Sequence, residues 1–236
     1  MAKAEPSMTS MQIQIGKKTL EISAIELRER INGCKHVLID IGTGDGLFVY
    51  RWAATHANTY CIGIDAAALN MRNVSAKTIR KPAKGGLPNA LFIVAGLERL
   101  PAEIQGLADT ITINFPWGTL LKALVTPDVQ SLKAIACLAQ ADARLIVLIN
   151  YSVFQDQDYA TRIGLPNLTQ EFIQEVLKPK YAAASIEITG YAFLQKEVPH
   201  RTTWGQHLIL GSSRETLMIE AVIRSPGSVK KTIEEQ

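Results

Sequence analysis

The chain has 236 residues, 47% apolar and 20% charged, a balance that suits one large globular domain and excludes a disordered or fibrous class. Its net charge of +3 is too small to mark a nucleic-acid binder by composition, so any such role rests on where the cations sit. The three cysteines are an odd, scattered set (Cys34, Cys61, Cys137), with Cys61 and Cys137 in apolar runs, which argues against a disulfide framework and a metal site and for a reducing cytoplasm.

No apolar run approaches the roughly 18 residues of a membrane span, and residues 1–10 lack the apolar stretch of a secretory leader. They read as a flexible start. Met11, Ile13 and Ile15 then alternate with glutamines, Gly16-Lys17-Lys18 offers a turn, and Leu20 and Ile22 resume the period of two, which predicts a β-hairpin. Ser23 with Glu26 is a capping-box pattern opening a short helix to about residue 32.

HVLIDI (36–41) is a buried strand that runs into DIGTGDG (40–46), and a helix is predicted over 46–57. Gly42 and Gly44 remove side chains so that backbone can approach a ligand closely. TYCIGID (59–65) is the next strand. It ends on Asp65, about 20 residues past the loop, where an acid accepts hydrogen bonds from ribose hydroxyls. This context suits an adenosine-containing cofactor, although a glycine turn with solvated aspartates gives the same letters. Asp40 and Asp45 flank the loop and would repel a pyrophosphate. S-adenosylmethionine carries a sulfonium and an ammonium instead, so charge complementarity favours it.

Residues 66–81 read as a helix broken by Pro82 and Gly85-Gly86. The stretch 66–97 holds Arg72, Lys77, Arg80, Lys81 and Lys84 and no acid at all. Three-and-four spacing places the helical ones on one face, either a contact for a phosphate backbone or a solvated basic surface. LFIVAG (91–96) is a third strand. Glu98, just after it, can reach an adenine amino group or simply open a surface helix. TITINF (110–115) is a fourth strand, with Asn114, Phe115, Pro116, Trp117 and Gly118 at the end where open α/β sheets bind ligands. There Trp117 is either a platform for a nucleobase, worth about 1–3 kcal/mol, or a core residue.

A helix is expected over about 117–140, a fifth strand at ARLIVLIN (143–150) and a helix near 169–178. ASIEITGYAF (184–193), HLILGS (207–212) and TLMIEAVI (216–223) follow as strands with no helices between them. Apolar strands alternating with helices, then an antiparallel end, predict an α/β, Rossmann-like methyltransferase sheet, mostly parallel and seven-stranded, with an antiparallel last strand and the hairpin added. The expected organisation is an N-terminal flexible start, hairpin and helix (1–32), an S-adenosylmethionine-dependent domain (33–226) and a tail (227–236). Before TLMIEAVI, Trp204 lies in the polar stretch His200 to Gly205. It can face Trp117 and clamp an extruded base, or fold back onto the sheet edge.

Together the hairpin, DIGTGDG, YCIGID, IRKPAKGGLPN, GLERLP, NFPWGTLL, RIGLP and TTWG resemble, in order and over nearly the whole chain, the aminoglycoside-resistance 16S rRNA (adenine(1408)-N(1))-methyltransferases of the kanamycin–apramycin resistance type. The resemblance implies a monomer that acts on the 30S ribosomal subunit. It implies a cofactor site from Asp40, Gly42, Thr43, Gly44 and Asp65, completed by Ala66, Leu97, Glu98, Asn114 and Thr119. Trp117 and Trp204 would stack the target adenine with Thr202 nearby, Pro116 and Thr119 would border the cofactor's methionine end, and Phe115 and Pro116 would count with the first three as the catalytic set. Lys77, Arg80, Lys81, Lys84, Arg201, His207 and Arg214 would hold rRNA. Family members carry more cations between the late tryptophan and the last strand than the His207 and Arg214 found here, which weakens the expected grip. Adenine N1 has a free lone pair, so the chemistry requires placement rather than a general base. Rival readings are a tRNA (guanine-N7) methyltransferase, which shares INFP but continues differently, a nicotinamide oxidoreductase, and a non-catalytic ribosome-binding protein.

Overall fold

The computed structural model describes residues 10–154, 156–195 and 215–224. Strands β1 (Ser10–Ile15) and β2 (Lys18–Ser23) form the hairpin, in register from Ser10 opposite Ser23 to Ile15 opposite Lys18. Ser23 caps α1 (Ala24–Ile31) in a reciprocal capping box with Glu26, an arrangement that satisfies two otherwise orphaned backbone donors. Then come β3 (His36–Ile41), α2 (Leu47–Thr55), β4 (Thr59–Asp65), α3 (Arg72–Thr78), β5 (Ala90–Val94) and β6 (Ala108–Asn114). Helices α4 (Gly118–Val125) and α5 (Val129–Ala136) lead to β7 (Ala139–Asn150). Beyond it lie α6 (Gln157–Ile163), α7 (Gln170–Phe172), a π-helical turn (Ile173–Leu177), α8 (Lys178–Ala182), β8 (Ile186–Gln195) and β9 (Glu215–Ile223).

The nine strands of the described residues join one sheet in the order β2-β1-β5-β4-β3-β6-β7-β9-β8. Strands β3 to β7 run parallel, and β9 is antiparallel to both β7 and β8. The hairpin continues this sheet, because β1 pairs antiparallel with β5. Alternation along the central strands sorts two cores. Val37, Ile39, Tyr60, Ile62 and Ile93 join one cluster, whereas Leu38, Cys61 and Phe92 pack against Phe48, Val49 and Val74 from α2 and α3.

Several expected elements differ. The helix expected over 66–81 survives only as α3. Asp65 accepts the Ala67 N–H and Asn70 donates back to Ala67, so the chain turns before it coils. The helix expected over 117–140 is two helices. Pro127 offers no N–H to continue the first, and Asp128 caps the second through the N–H groups of Gln130 and Ser131. Cys61 is buried as expected, but Cys137 is exposed. The strand expected at 207–212, the tail (227–236) and all of the flexible start (1–10) except Ser10, which begins β1, lie outside the described residues. No helix among the described residues is long and apolar enough to cross a membrane.

Candidate functional site

The strand order turns back between β3 and β6, where β4 and β5 continue to one side and β7 to the other. Loops leaving neighbouring strands diverge at such a point and leave a crevice at the carboxyl ends. A cleft of about 720 Å³ opens there. Four carboxylates line it, those of Asp40, Asp45, Asp65 and Glu98, and among the described residues no lysine, arginine or histidine does.

Asp40 is the deepest of the four, 1% exposed. Parallel pairing sets Asp40 opposite Thr112 on β6, and the Thr112 hydroxyl donates to Asp40 Oδ1 at 2.7 Å. The Asn114 amide donates to the same oxygen at 2.8 Å. Burial pushes the carboxyl up to about 6, against the pull of Thr112, Thr43 and Asn114, and the nearby charge of Asp65 pushes it further up. Thr43 exerts that pull without completing a hydrogen bond, since its buried hydroxyl meets no partner at bonding geometry. A buried carboxylate that costs this much to ionise is suited to a cation arriving in the cleft.

The glycine loop turns through left-handed backbone at Gly42 (φ 72°) and Gly44 (φ 59°). A Cβ on Gly44 would meet nothing within 4 Å, whereas one on Gly42 would sit 2.6 Å from Leu120 Cδ2. Gly42→Ala therefore adds left-handed strain of about 1–2 kcal/mol and presses Leu120, which lines the cleft. The expected result is a lower denaturation midpoint together with severalfold weaker S-adenosylmethionine binding by calorimetry; an unchanged midpoint would remove the conformational argument. Asp65 ties the loop to its own turn, accepting the Gly44 N–H at 2.9 Å and the Ala67 N–H at 2.8 Å. Both oxygens keep a lone pair for a ligand hydroxyl. Glu98 sits in a 3₁₀ turn (Leu97–Arg99) with its carboxyl folded over Gly96, where a Cβ would come within 2.4 Å of it. Ala66, Leu97 and Thr119 complete the lining expected from sequence.

After Asn114 the chain reverses through Phe115, a non-glycine residue at φ 51°, the kind of left-handed turn that sits at sites more often than elsewhere. The Phe115 N–H is held by the Leu148 carbonyl at 2.7 Å. Its ring is 4% exposed and packs with Leu148 and Met218. Phe115 lines the cleft, its ring anchored against Leu148 and Met218 and its backbone making the reversal that serves the site. Pro116 is buried, and Trp117 emerges 42% exposed. Its indole meets Tyr159 of α6 edge-on, with ring centroids 5.8 Å apart, and the Arg162 guanidinium lies 5.5 Å from the Tyr159 ring. Thr202 and Trp204 lie outside the described residues, as do Arg201, His207 and Arg214.

The expected basic helix face is also corrected. Lys77 lies in the last turn of α3, but Arg80 and Lys81 follow the helix and Lys84 closes a 3₁₀ turn (Pro82–Lys84). Lys77 Nζ rests 4.1 Å from the centre of the Tyr50 ring, and the Tyr50 hydroxyl donates to the Gly85 carbonyl at 2.8 Å. The basic loop is thus fastened to α2, the helix that leaves the glycine loop. Arg80, Lys81 and Lys84 are exposed.

Sequence reasoning missed Thr112, Asn70, Ser131 and Tyr159. Thr112 was detectable only from strand register, and Tyr159 only from the docking of α6.

Residues 12–223 match the family NpmA: 16S rRNA (adenine(1408)-N(1))-methyltransferase. A 16S rRNA (adenine(1408)-N(1))-methyltransferase of Escherichia coli is 37% identical over 86% of this chain and 94% of its own length. The crystal structure of antibiotic-resistance methyltransferase Kmr is 44% identical, covering 89% of this chain and all of that one, with a TM-score of 0.74. A mutant of the corresponding enzyme from Catenulisporales acidiphilia, crystallised with cosubstrate SAM, superposes with a TM-score of 0.83 at 28% identity, covering 92% of this chain and 98% of that one.

Proposed function

This chain belongs to the 16S rRNA (adenine(1408)-N(1))-methyltransferase family, and we propose that it methylates N1 of adenine 1408 in the decoding site of the assembled 30S subunit, acting as a cytoplasmic monomer and conferring aminoglycoside resistance. It is an S-adenosylmethionine-dependent enzyme. The observation that carries the reading is the charge of the cleft: four carboxylates, and no cation among the described lining residues, at the switch point of the sheet. A pyrophosphate would be repelled there, which disfavours a nicotinamide coenzyme, whereas an ammonium and a sulfonium are attracted. The bare backbone at Gly44 fits the close approach of such a ligand.

S-adenosylmethionine supplies, when bound, a methyl group on a positively charged sulfur that the lone pair of adenine N1 can accept without a base. The protein's part is placement. Asp40, held by Thr112 and Asn114, takes the ammonium. Asp65 receives ribose hydroxyls and keeps the glycine loop closed through Gly44. Glu98 reaches the cofactor's adenine amino group, with Ala66 and Leu97 flanking the ring. Pro116 and Thr119 border the methionine end. Trp117 presents a flat, electron-rich face to the target base, and to the positive charge that base gains on methylation. Orientation of this kind is worth up to about 7–11 kcal/mol of barrier, which suits a reaction that needs no base to create its nucleophile.

The test is primer extension on 16S rRNA taken from 30S subunits after incubation with enzyme and S-adenosylmethionine. A stop beside adenine 1408, absent without cofactor, is the expected outcome. Label transferred to tRNA, with no such stop, would overturn the reading in favour of tRNA (guanine-N7) methylation.

A further inference from the structure

The hairpin tip carries two cations, Lys17 and Lys18, both exposed. They are some 60 residues from the basic loop in sequence, yet the fold brings the tip against the same helix. The Gly16 N–H donates to Ser75 Oγ on α3 at 3.0 Å, and a Cβ on Gly16 would lie 3.3 Å from the Cβ of Ala76. The tip is braced from within as well. Gln14, 2% exposed, donates through its side-chain amide to the Gly16 carbonyl at 2.6 Å and accepts from the Thr19 hydroxyl at 3.0 Å. These bonds fix the tip beside the residue that precedes Lys77.

Helix α3 begins two residues after Asn70, which lines the cleft. The segment from Asn70 through α3 to the basic loop therefore leads away from the cleft edge, and the tip packs against its helix. Tip and segment together hold seven cations: Lys17, Lys18, Arg72, Lys77, Arg80, Lys81 and Lys84. The ion pairs among the described residues are Arg144–Glu220, Arg224–Asp142 and Arg224–Glu187, and none involves these seven. Seven cations with no carboxylate ion pair among the described residues, on a chain of net charge +3, match a ligand that presents repeated negative charge.

We propose that the hairpin tip is part of the rRNA-docking surface, with Lys17 and Lys18 each meeting a phosphate of the small subunit. The inference rests on the rRNA reading above. It gives the hairpin a binding task in addition to its role as an edge of the sheet.

The experiment measures binding of the full chain to 30S subunits across a range of salt concentrations. Lys17→Ala with Lys18→Ala should weaken binding by about tenfold and lower the slope of log K against log salt by about 1.4–1.8, the counterions of two phosphates. Lys17→Arg with Lys18→Arg should restore both, as a charge role requires and a purely structural one does not. Calorimetry should show S-adenosylmethionine affinity unchanged in both variants. Wild-type affinity and slope in the alanine variant would overturn the inference while leaving the rRNA reading intact. A wild-type chain that leaves adenine 1408 unmethylated would overturn both, and primer extension distinguishes the two failures.

Discussion

Asp40→Asn is expected to stabilise the ligand-free protein at pH 8 and, in the same variant, to weaken S-adenosylmethionine binding by about 10- to 100-fold. The two effects share one cause. In the folded chain burial raises the Asp40 carboxyl from an ordinary 3.8 to about 6. Above pH 6 the folded protein carries a buried negative charge that the unfolded chain would hold in water. Two pKa units correspond to about 3 kcal/mol. Because the folded form binds the proton more tightly, this penalty is full at pH 8, shrinks as pH falls through 6 and is gone below about 4. An asparagine can still accept from Thr112 and Asn114 and carries no charge, so it should add about 1–3 kcal/mol at pH 8 and little at pH 4. Chemical denaturation at the two pH values reads this directly. The binding loss is that of a charge-assisted contact to the ammonium, about 1.5–3 kcal/mol. For the unaltered chain, affinity should be level between about pH 6 and 7 and fall about tenfold per unit well below that, since only the carboxylate pairs with the ligand's ammonium. A variant that binds normally, or a native chain whose affinity ignores pH between 7 and 5, would show that Asp40 faces no cation. Thr43, whose buried hydroxyl lacks a partner at bonding geometry, belongs to the same arrangement, in which the site is more comfortable with a ligand than without one.

The parts of this molecule legible in the chain were those governed by local rules. Continuous apolar runs announced β3 to β7, because strands covered on both faces need no polar alternation. The glycine loop and the acid that ends β4 announced the cleft, since both depend on short sequence spacing. The polar partners of Asp40 were harder. Asn114 was found because it sits at a strand end, but Thr112 is mid-strand and becomes a partner only through the register of β3 with β6. The basic segment was recognised by composition and given the wrong geometry. Pro82 and the turn at 66–71 shorten the helix, and Tyr50, whose hydroxyl reaches the Gly85 carbonyl, supplies the support. Lys17 and Lys18 read as turn residues alone, because the bond from Gly16 to Ser75 spans 59 positions and leaves no local trace.

Trp117→Ala is expected to reduce methylation of 30S subunits by about 100-fold while S-adenosylmethionine affinity changes by less than about twofold. The indole lies on the outward side of the reversal at Phe115 and is 42% exposed, so its removal leaves the Asp40–Thr112–Asn114 arrangement untouched. What is lost is a stacking surface for an extruded base, worth about 1–3 kcal/mol, together with the alignment of that base, and every misplacement lowers the rate further. Stability should change by less than about 1 kcal/mol, since a substitution at an exposed site removes little packing. The edge contact from Tyr159 predicts a graded series. Such an aromatic pair is worth about 0.5–1.5 kcal/mol, so Tyr159→Ala should slow methylation by up to about tenfold through a looser indole, and Tyr159→Phe, which keeps the ring, should be near wild type. Trp117→Phe should fall between wild type and the alanine variant, because a smaller ring still stacks. Single-turnover methylation of 30S subunits under saturating cofactor, set beside calorimetry, separates the two steps. Equal losses in cofactor binding and methyl transfer would place the indole in the cofactor site instead. An unaffected rate would leave the exposed ring with no part in holding the adenine, and the reversal at Phe115 would then have to be explained by the cofactor alone.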